Sequence, residues 1–452
     1  MDRREFLVAT GGGIATLAGC LRPPTSAPPG RIELLGHDTG EDVQFHRFGH
    51  VKLDGTAFYT FGHVSDDGEW GVVGSFPERD TLVASTLVDL TAVEEPSAVH
   101  QLDSAGASTR TNDVKFDAHR DGLYYRSQEP QSRDHGERGI EVVDFGYREG
   151  TPEQPVVLAQ LEVSEVGIHK LTTHPEEELL YLVNMNLQSE TGVFVVDVSS
   201  PAAPEVIDRV GPAGGCHDVE YDPVREVLHG AYIAGGSEGY LIYDASNPYN
   251  LEILGHFRYD DHPGYTEVGE PGFEGCHQAH WDPERDLAII GDEVSQGVPG
   301  GKHIFDIGWD EGSLEDPQPV GFTHSPDART MDGADEMFWW TTHFHDVVYD
   351  GGVPLLVDGG YRQGAWVCNI EDPRNPVPTE RFATTNRSVE NPEPELFAWG
   401  AVYNAKREFV FVTDSYNGAF TFDVTAKPAR GIDHRGPAGH YSEDVLRPGS
   451  EG

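Results

Sequence analysis

Short runs of β-branched and aromatic residues recur along the chain and are separated by turn-forming Gly, Pro, Asn and Asp. One run is especially regular: apolar residues, then an acidic residue, then a turn, as in Val195-Val196-Asp197-Val198. Short apolar runs bounded by turn residues are typical of β-strands. The pattern occurs in seven copies about 56 residues apart, and a period of this size indicates an array of small structural units. The residues at the acidic position are Asp89, Asp144, Asp197, Asp244, Asp306, Asn369 and Asp423.

The copy around Asp244 shows how one unit is expected to fold. Its β-rich runs predict four strands, at 217–221, 227–234, 240–244 and 251–257, connected by short turns. One four-stranded sheet cannot bury both of its faces, whereas seven sheets stacked around an axis cover one another. The chain is therefore predicted to be all-β, a seven-bladed β-propeller of four-stranded antiparallel blades over residues 31–425.

The two ends of the array predict how the ring closes. The last copy, at Asp423, is followed by a polar tail over 426–452 that contains no convincing fourth strand. Residues 32–37 resemble 251–256, which form the fourth strand of an internal copy. Residues 31–37 are therefore expected to pair into the last blade and to remove its open edge.

The N-terminus carries two export features. Arg3 and Arg4 precede a mildly apolar stretch that is too short to span a bilayer, which resembles a twin-arginine signal. The stretch ends in Leu17-Ala18-Gly19-Cys20, which resembles a lipobox. Residues 1–20 are predicted to be a lipoprotein signal peptide and residues 21–30 a Pro-rich tether. The mature protein would then lie on the outer face of the cytoplasmic membrane, attached only through lipidated Cys20.

The charge of the chain restricts its partners. Acidic residues number 77 against 31 basic ones, and the formal net charge is −46. Such a chain repels itself at low salt, and molar salt screens the repulsion. The composition resembles that of proteins from extreme halophiles, and it argues against nucleic acid as a partner. A monomer is expected, with a small molecule or a surface protein as the open classes of partner.

The runs Val195-Val196-Asp197-Val198-Ser199 and Leu241-Ile242-Tyr243-Asp244-Ala245 resemble the repeats of the LVIVD family of prokaryotic β-propellers. The resemblance covers residues 61–425, and together with the N-terminal motifs it suggests a haloarchaeal-type, twin-arginine-exported lipoprotein. It implies the propeller fold. It implies no particular activity, because that family has no single established one.

Histidine recurs at one position when the repeats are aligned on the turn that follows the first strand. Five residues before that turn the chain has Phe61, Asn112, His169, His217, His277, His345 and Trp399. This position begins the innermost strand, so four imidazoles are expected to converge at one mouth of the central channel. Imidazole is a ligand for Fe, Cu and Zn, and the four histidines are predicted to bind one such ion. His343 lies two residues before His345 on the same strand face and is a weaker candidate ligand.

We call the seven residues at this position the ladder. Its members other than histidine, Phe61, Asn112 and Trp399, are expected to line the channel mouth. Long connections between units carry further aromatic residues on the same face, which favours a binding mouth. These aromatic residues are Tyr259, Tyr265, Phe273, Phe338, Trp339 and Trp340. Cys216 and Cys276 directly precede ladder histidines and could form a disulfide, bind metal or pack in the core.

Two functional hypotheses follow. In the first, the histidines hold a transition metal that binds or acts on a small molecule, and an enzyme of this kind would be a metal-dependent oxidoreductase or hydrolase. In the second, the histidines are structural and hydrogen-bond to acidic residues of their own blades, such as Asp292 and Asp358. The protein would then be a non-catalytic surface scaffold. No catalytic acid or base is assigned from the sequence.

Overall fold

The computed structural model describes residues 43–53, 58–76, 82–106, 108–131, 135–185, 192–262, 273, 275–294, 300–326, 341–384 and 396–426. Almost all regular structure in these ranges is β-strand, with a short 3-10 helix at Tyr259–Asp261. The predicted all-β class is therefore confirmed. No helix in the described ranges is long and apolar enough to cross a bilayer.

The strands form consecutive antiparallel sheets of about four strands. The first sheet contains β2 (Phe58–Val64), β3 (Trp70–Phe76), β4 (Val83–Asp89) and β5 (Ser97–Asp103). The second contains β6 (Thr109–Arg110), β7 (Val114–Phe116), β8 (Leu123–Pro130), β9 (Gly139–Asp144) and β10 (Val156–Leu161). The third contains β11 (Lys170–Thr173), β12 (Leu179–Val183), β13 (Val193–Asp197) and β14 (Glu205–Val210).

The same arrangement continues along the chain. The fourth sheet contains β15 (Gly215–Asp222), β16 (Val227–Ala234), β17 (Gly239–Asp244) and β18 (Glu252–Phe257). The fifth contains β19 (Cys276–Trp281), β20 (Leu287–Asp292), β21 (Lys302–Asp306) and β22 (Gln318–Thr323). These bounds agree closely with the four strands predicted around Asp244.

The remaining strands form one larger sheet built from two such units. They are β23 (Phe344–Asp350), β24 (Val353–Gly360), β25 (Gly364–Asn369), β26 (Val377–Phe382), β27 (Ala398–Asn404), β28 (Phe409–Asp414), β29 (Gly418–Ala426) and β1 (Val43–Val51). A parallel pairing of Phe344 with Gly400 joins the two halves. The architecture is consistent with a β-propeller whose inner and middle strands are buried and whose fourth strands, such as β14 and β18, are partly exposed.

The repeated aspartate ends the third strand of a unit and organises the turn that follows. The carboxylate of Asp144 accepts hydrogen bonds from the backbone N–H groups of Gly146 and Tyr147, and Asp306 does the same for Gly308 and Trp309. A turn that leaves the sheet has N–H groups without ladder partners, and a carboxylate can satisfy several of them. The repeated aspartate, which is the strongest sequence signal of the repeat, therefore stabilises a turn and does not mark a functional site.

Arginines after the first turn connect some of the units to the next. Arg285 pairs with Asp282 in its own turn and donates to the backbone oxygen of Ile370, at 2.9 Å. Arg407 donates in the same way to the backbone oxygen of Gly68, at 2.7 Å. Because Arg407 follows β27 and Gly68 follows β2, this contact joins the last unit of the chain to the first.

The strand that pairs with β29, the last strand of the array, is not the predicted one. β1 pairs antiparallel with β29, with His46 opposite Asp423, whereas residues 31–37 lie outside the described residues. β1 ends only a few residues before β2 begins, as β14 ends just before β15. β1 therefore takes the place of the fourth strand in the last unit, and the edge of β29 that residues 31–37 were expected to cover is already paired with it.

Candidate metal centre

Two of the predicted histidines lie at irregularities of the innermost strands. In β15 the pairing passes from Cys216 to Asp218 and skips His217, and in β19 it passes from Cys276 to Gln278 and skips His277. An extra residue of this kind is a β-bulge, which re-aims a side chain away from the regular alternation. Both histidines are buried.

The bulged histidines form a row with the preceding ladder residue. The Nε2 atoms of His169 and His217 are 3.0 Å apart, and the ring centroids of His217 and His277 are 3.7 Å apart. These residues come from the third, fourth and fifth sheets. Imidazoles from consecutive units therefore meet in the structure at the position that the ladder predicts.

The row continues with His343 and not with His345. The ring centroids of His277 and His343 are 4.5 Å apart, whereas the backbone N–H of His345 donates to Gln278 Oε1, 2.9 Å away. β23 has no bulge at this point, because Phe344 pairs with Gly359 and His345 with Asp358 in unbroken register. Regular alternation therefore turns Phe344 toward the histidine row and His345 away from it. His343 precedes β23, so it does not follow this alternation, and the expectation that it shares a face with His345 was wrong.

Glu293, which the sequence analysis did not single out, completes the group. One ligand atom each from His277, Glu293 and His343 lies within 4.8 Å of the other two. His277 Nε2 is 3.6 Å from Glu293 Oε2, and His343 Nε2 is 3.9 Å from Glu293 Oε1. All three side chains are buried. Two imidazoles and a carboxylate in this arrangement could hold a metal ion.

The protonation of His343 is set by its neighbours. Its Nδ1 contacts the backbone oxygen of Trp399, which can only accept a hydrogen bond, so Nδ1 carries the proton of the neutral ring. The Nε2 lone pair then faces the group and accepts from the Tyr361 hydroxyl at 2.7 Å. Neither ring nitrogen of His277 has a hydrogen-bond partner among the described residues. His277 can therefore offer a lone pair to a cation directly, whereas binding of a cation to Nε2 of His343 requires the Tyr361 hydroxyl to give up its hydrogen bond there.

Burial favours the neutral forms of these side chains. Burial and the neighbouring histidines hold the pKa of His277 well below its usual range, and burial does the same for His343. Burial also raises the pKa of Glu293 to about 8, although the Tyr361 hydroxyl opposes the shift. Neutral imidazole is the form that binds metals. A bound cation would give the ionised form of Glu293 a positively charged partner.

The walls of the group are mostly apolar and aromatic. Buried side chains from different units pack together here: Phe58, Phe61, Phe76, Met185, Ile233, Phe344, Tyr361, Phe397 and Trp399. The Lys170 ammonium group lies 3.9 Å from the ring centroid of Phe61 and 4.1 Å from that of Phe344. It pairs with Asp113 at 3.2 Å. A second buried lysine, Lys302, donates to the backbone oxygen of His343 at 2.5 Å, so the histidine group lies between an apolar wall and two buried cations.

The predicted lining residues have different surroundings. Phe61 and Trp399 belong to the apolar wall, with Trp399 5.0 Å from the His343 ring, centroid to centroid. Asn112 instead donates from Nδ2 to Glu129. Of the loop aromatics, Tyr259 and Phe273 pack around His303. The others, Tyr265, Phe338, Trp339 and Trp340, lie outside the described residues.

The structural alternative can be compared with the observed contacts. Asp292 accepts from the backbone N–H of Gly275 at 2.8 Å, and Asp358 accepts from the Trp366 indole at 2.8 Å. These aspartates stabilise the backbone and an indole, and no hydrogen bond joins them to the rings of His277 or His345 among the described contacts. Cys216 and Cys276 are free, buried thiols and form no disulfide.

A second ladder could have revealed Glu293. In each unit the repeat aspartate pairs with a residue at the start of the second strand, as in Leu123–Asp144 and Leu287–Asp306. Six residues further along the chain, these two units have Glu129 and Glu293. The same position in other units holds Phe76, Met185, Ile233 and Tyr361. In the last unit the position holds Ser415, so the two glutamates carry the only carboxyl groups among the seven. The first-strand alignment does not show them.

The fold and this group together define an all-β, propeller-like protein with a buried His–Glu–His group that could hold a metal ion. No family model matches the chain, and no curated protein matches it either. The resemblance to LVIVD repeats therefore stays a prediction.

Proposed function

We propose that this protein binds one transition-metal ion, Fe, Cu or Zn, between His277, Glu293 and His343. The observation that carries the proposal is the approach of three ligand atoms within 4.8 Å in a buried site. Burying three polar side chains without strong mutual hydrogen bonds costs free energy, and an ion would offset that cost. Two histidines and a glutamate leave coordination positions open, which is typical of catalytic and not of closed structural sites.

The chemistry of such a site would be redox or hydrolytic. A bound ion supplies Lewis acidity or electron transfer, which no other group in the wall provides. His277, Glu293 and His343 would hold it, and Tyr361 would supply a hydroxyl beside the open positions. The apolar wall of Phe344 and its neighbours favours a small, weakly polar molecule as the partner.

Metal content tests the proposal directly. The protein is purified in high salt without metal-affinity chromatography, and the tightly bound metal is measured by elemental analysis. The wild type is expected to retain an ion, and the His277→Gln variant to lose it without unfolding. His345→Gln is the matched control, since His345 lies outside the group and its substitution should leave the metal in place. A wild type free of metal, also after incubation with each ion, would contradict the proposal.

The non-catalytic scaffold is the second candidate. It is favoured by the hydrogen bonds of His343 to Trp399 and Tyr361, which fix that ring without any metal. If the histidines are structural, neither the wild type nor the His277→Gln variant should bind metal, and the protein would act by holding another protein at its surface.

We also propose that the sheets are the seven blades of a closed propeller of the LVIVD-repeat type. Support comes from the pairing of β1 with β29 and from Arg407, which bridges the last and first units. The Ser415 hydroxyl adds a 2.7 Å hydrogen bond to the backbone oxygen of Tyr59 across the same junction. A closed ring would leave only short, protected edges and is expected to be a monomer.

Export and anchoring are proposed from the N-terminal motifs, which lie outside the described residues. The protein would be an acidic, halophilic lipoprotein on the outer face of the cytoplasmic membrane. Replacing Arg3 and Arg4 by lysine should retain the precursor in the cytoplasm, and Cys20→Ser should release the mature protein from the membrane fraction. Wild-type protein found soluble in the cytoplasm would contradict both expectations.

A further inference from the structure

We propose that the phenol oxygen of Tyr361 is a fourth ligand at the candidate metal centre and that the ion held there is iron(III). This inference rests on the proposed function, because it adds a ligand to an ion bound by His277, Glu293 and His343. It goes beyond that function in two respects. It assigns one of the open coordination positions to a tyrosine, and it selects one metal from Fe, Cu and Zn.

The ligand set repeats in two neighbouring units. The fifth unit supplies His277 on its first strand and Glu293 directly after its second strand, β20. The sixth unit supplies His343 directly before its first strand, β23, and Tyr361 directly after its second strand, β24. Glu293 and Tyr361 are equivalent, since each lies six residues beyond the residue that begins the pairing of the second strand with the third. Each of the two units therefore contributes one imidazole and one oxygen donor.

The Tyr361 hydroxyl lies where an ion on His343 would bind. Its oxygen is 2.7 Å from Nε2 of His343, and it is close enough to the Glu293 carboxyl to oppose the rise of that group's pKa. Two donor atoms bound to one ion through bonds of about 2.0–2.1 Å are roughly 2.8–3.0 Å apart when the bonds form a right angle. The oxygen therefore already lies at about the separation from Nε2 that two ligands of one ion have.

The Tyr361 ring is tightly packed, so its oxygen cannot easily leave the site. The ring centroids of Tyr361 and Phe397 are 4.1 Å apart with an interplanar angle of 21°, and those of Tyr361 and His343 are also 4.1 Å apart. The side chain is fully buried, and the backbone oxygen of Tyr361 accepts from the N–H of Ala398 at 2.9 Å. Packing of this density resists a change of rotamer. An ion that displaces the hydrogen bond to Nε2 therefore keeps the phenol oxygen beside it.

Two other buried tyrosines bond to a histidine, so this contact alone does not mark a metal site. The Tyr240 hydroxyl is 2.6 Å from Nδ1 of His229, and the Tyr259 hydroxyl is 2.8 Å from Nδ1 of His303. Within the described ranges, neither of these histidines belongs to a compact group of three ligand residues. Tyr361 differs because its histidine has two further ligand atoms within 4.8 Å. The ligands around the hydrogen bond, and not the bond itself, assign the oxygen to the site.

The types of ligand select the metal. Two histidines and one carboxylate with open positions form the ligand set of non-haem iron(II) sites. A phenolate adds a second anionic oxygen, and Coulomb attraction to an anion is stronger for an ion of charge 3+ than for one of charge 2+. Tyrosine is also the protein ligand of the iron in some haem proteins. Two imidazoles, a carboxylate and a phenolate therefore favour iron in its ferric state.

The same ligand set indicates what the remaining positions would take. Metal ligands bind in their deprotonated forms, so the Tyr361 hydroxyl gives its proton to solvent as the bond to iron forms, and no electron is transferred. Iron(III) with one carboxylate and one phenolate keeps a single positive charge. An anionic oxygen at an open position neutralises that charge, while Phe344 and Trp399 of the apolar wall contact the rest of the molecule. The substrate class is therefore a small molecule with an apolar body and an anionic oxygen.

The visible spectrum tests the proposal. Phenolate bound to iron(III) absorbs visible light by charge transfer, whereas zinc(II) gives no such band. The protein is treated with a chelator in high salt, loaded with iron(III) citrate and passed through gel filtration, and its iron content and spectrum are measured. We expect one iron(III) per chain and a visible band on the wild type, and no band on the Tyr361→Phe variant. Tyr240→Phe is the matched control, because it also removes a buried hydroxyl bonded to a histidine, and it should keep the band.

Other results have distinct meanings. Iron(III) on the wild type without the band, or a band that persists in Tyr361→Phe, overturns this inference and leaves the proposed function intact. A wild type that binds zinc or copper but no iron(III) has the same meaning. A wild type that binds none of these metals overturns the proposed function as well. Should Tyr361→Phe fail to fold, a crystal of the iron-loaded wild type decides the matter: the iron should lie within bonding distance of the Tyr361 oxygen, and an iron bound without that oxygen refutes the inference.

Discussion

Replacing Glu293 by glutamine should make the metal-free protein more stable at neutral pH. Glu293 is buried, and burial raises the pKa of its carboxyl from 4.5 to about 8. In the unfolded chain the same group is ionised at pH 7, so folding must take up a proton. Glutamine has nearly the same shape and does not titrate, so this cost disappears in the variant.

The size of the effect follows from linkage. A group whose pKa is raised in the folded state stabilises the fold below its unfolded pKa, and this contribution is lost as pH rises through the folded value. One pKa unit corresponds to about 1.36 kcal/mol, so at pH 7 the wild type should have lost about 3 kcal/mol relative to pH 4.5. The stability difference between the Glu293→Gln variant and the wild type should therefore grow between pH 4.5 and 8.

The assay is denaturant unfolding of chelator-treated protein at several pH values in constant high salt. The variant is expected to exceed the wild type by about 3 kcal/mol at pH 7 and to approach it near pH 4.5. Saturating metal should reverse the order, because it binds only the folded wild type with full affinity; a thousandfold excess over Kd adds about 4.1 kcal/mol, more than the deficit of about 3 kcal/mol. A metal-free variant that is less stable at pH 7, or a difference that does not change with pH, would refute the reasoning.

Further predictions concern the ion pairs that connect units. Burial opposes ionisation of Glu220, but Lys115 at 3.0 Å lowers its pKa to about 2. Its stabilisation is present above pH 4.5 and is lost toward pH 2, so in melting experiments Glu220→Gln should cost about 3 kcal/mol at pH 7 and almost nothing at pH 2. Arg407→Lys should lose about 2 kcal/mol in urea unfolding, since lysine cannot reproduce the guanidinium contact with Gly68. The exposed Arg374→Lys is its control and should change stability by less than about 0.5 kcal/mol. Equal losses in the two arginine variants would mean that the Arg407 bridge between the first and last units contributes no special stability.

Most of the fold could be predicted from the sequence because its signal is local. The turn after a third strand needs an acceptor for unpaired N–H groups, one at Asp197 and Asp244 and several at Asp144 and Asp306, and the aspartate recurs for that reason. The closing strand was placed wrongly on 31–37, because sequence similarity between outer strands is a weak guide. Their partly exposed faces tolerate many residues, so the resemblance of 32–37 to 251–256 did not identify the strand that pairs with β29.

The site was only partly predictable because register decides which side chain faces the channel. The ladder places His277 and His345 at equivalent positions, but only β19 has a bulge there, so His277 faces the group and His345 does not. A bulge depends on pairing with the neighbouring strand and leaves no fixed sequence signal. Glu293 lies on the second strand, beyond the reach of an alignment made on the first.

The most direct test of the central claim is anomalous X-ray scattering from a crystal of the protein purified with its native metal. Data collected on both sides of the absorption edges of iron, copper and zinc would locate and identify any bound ion. The account predicts a strong peak within bonding distance of His277, Glu293 and His343. The absence of a peak there after soaking with each metal, or a peak bound instead at His345, would contradict it.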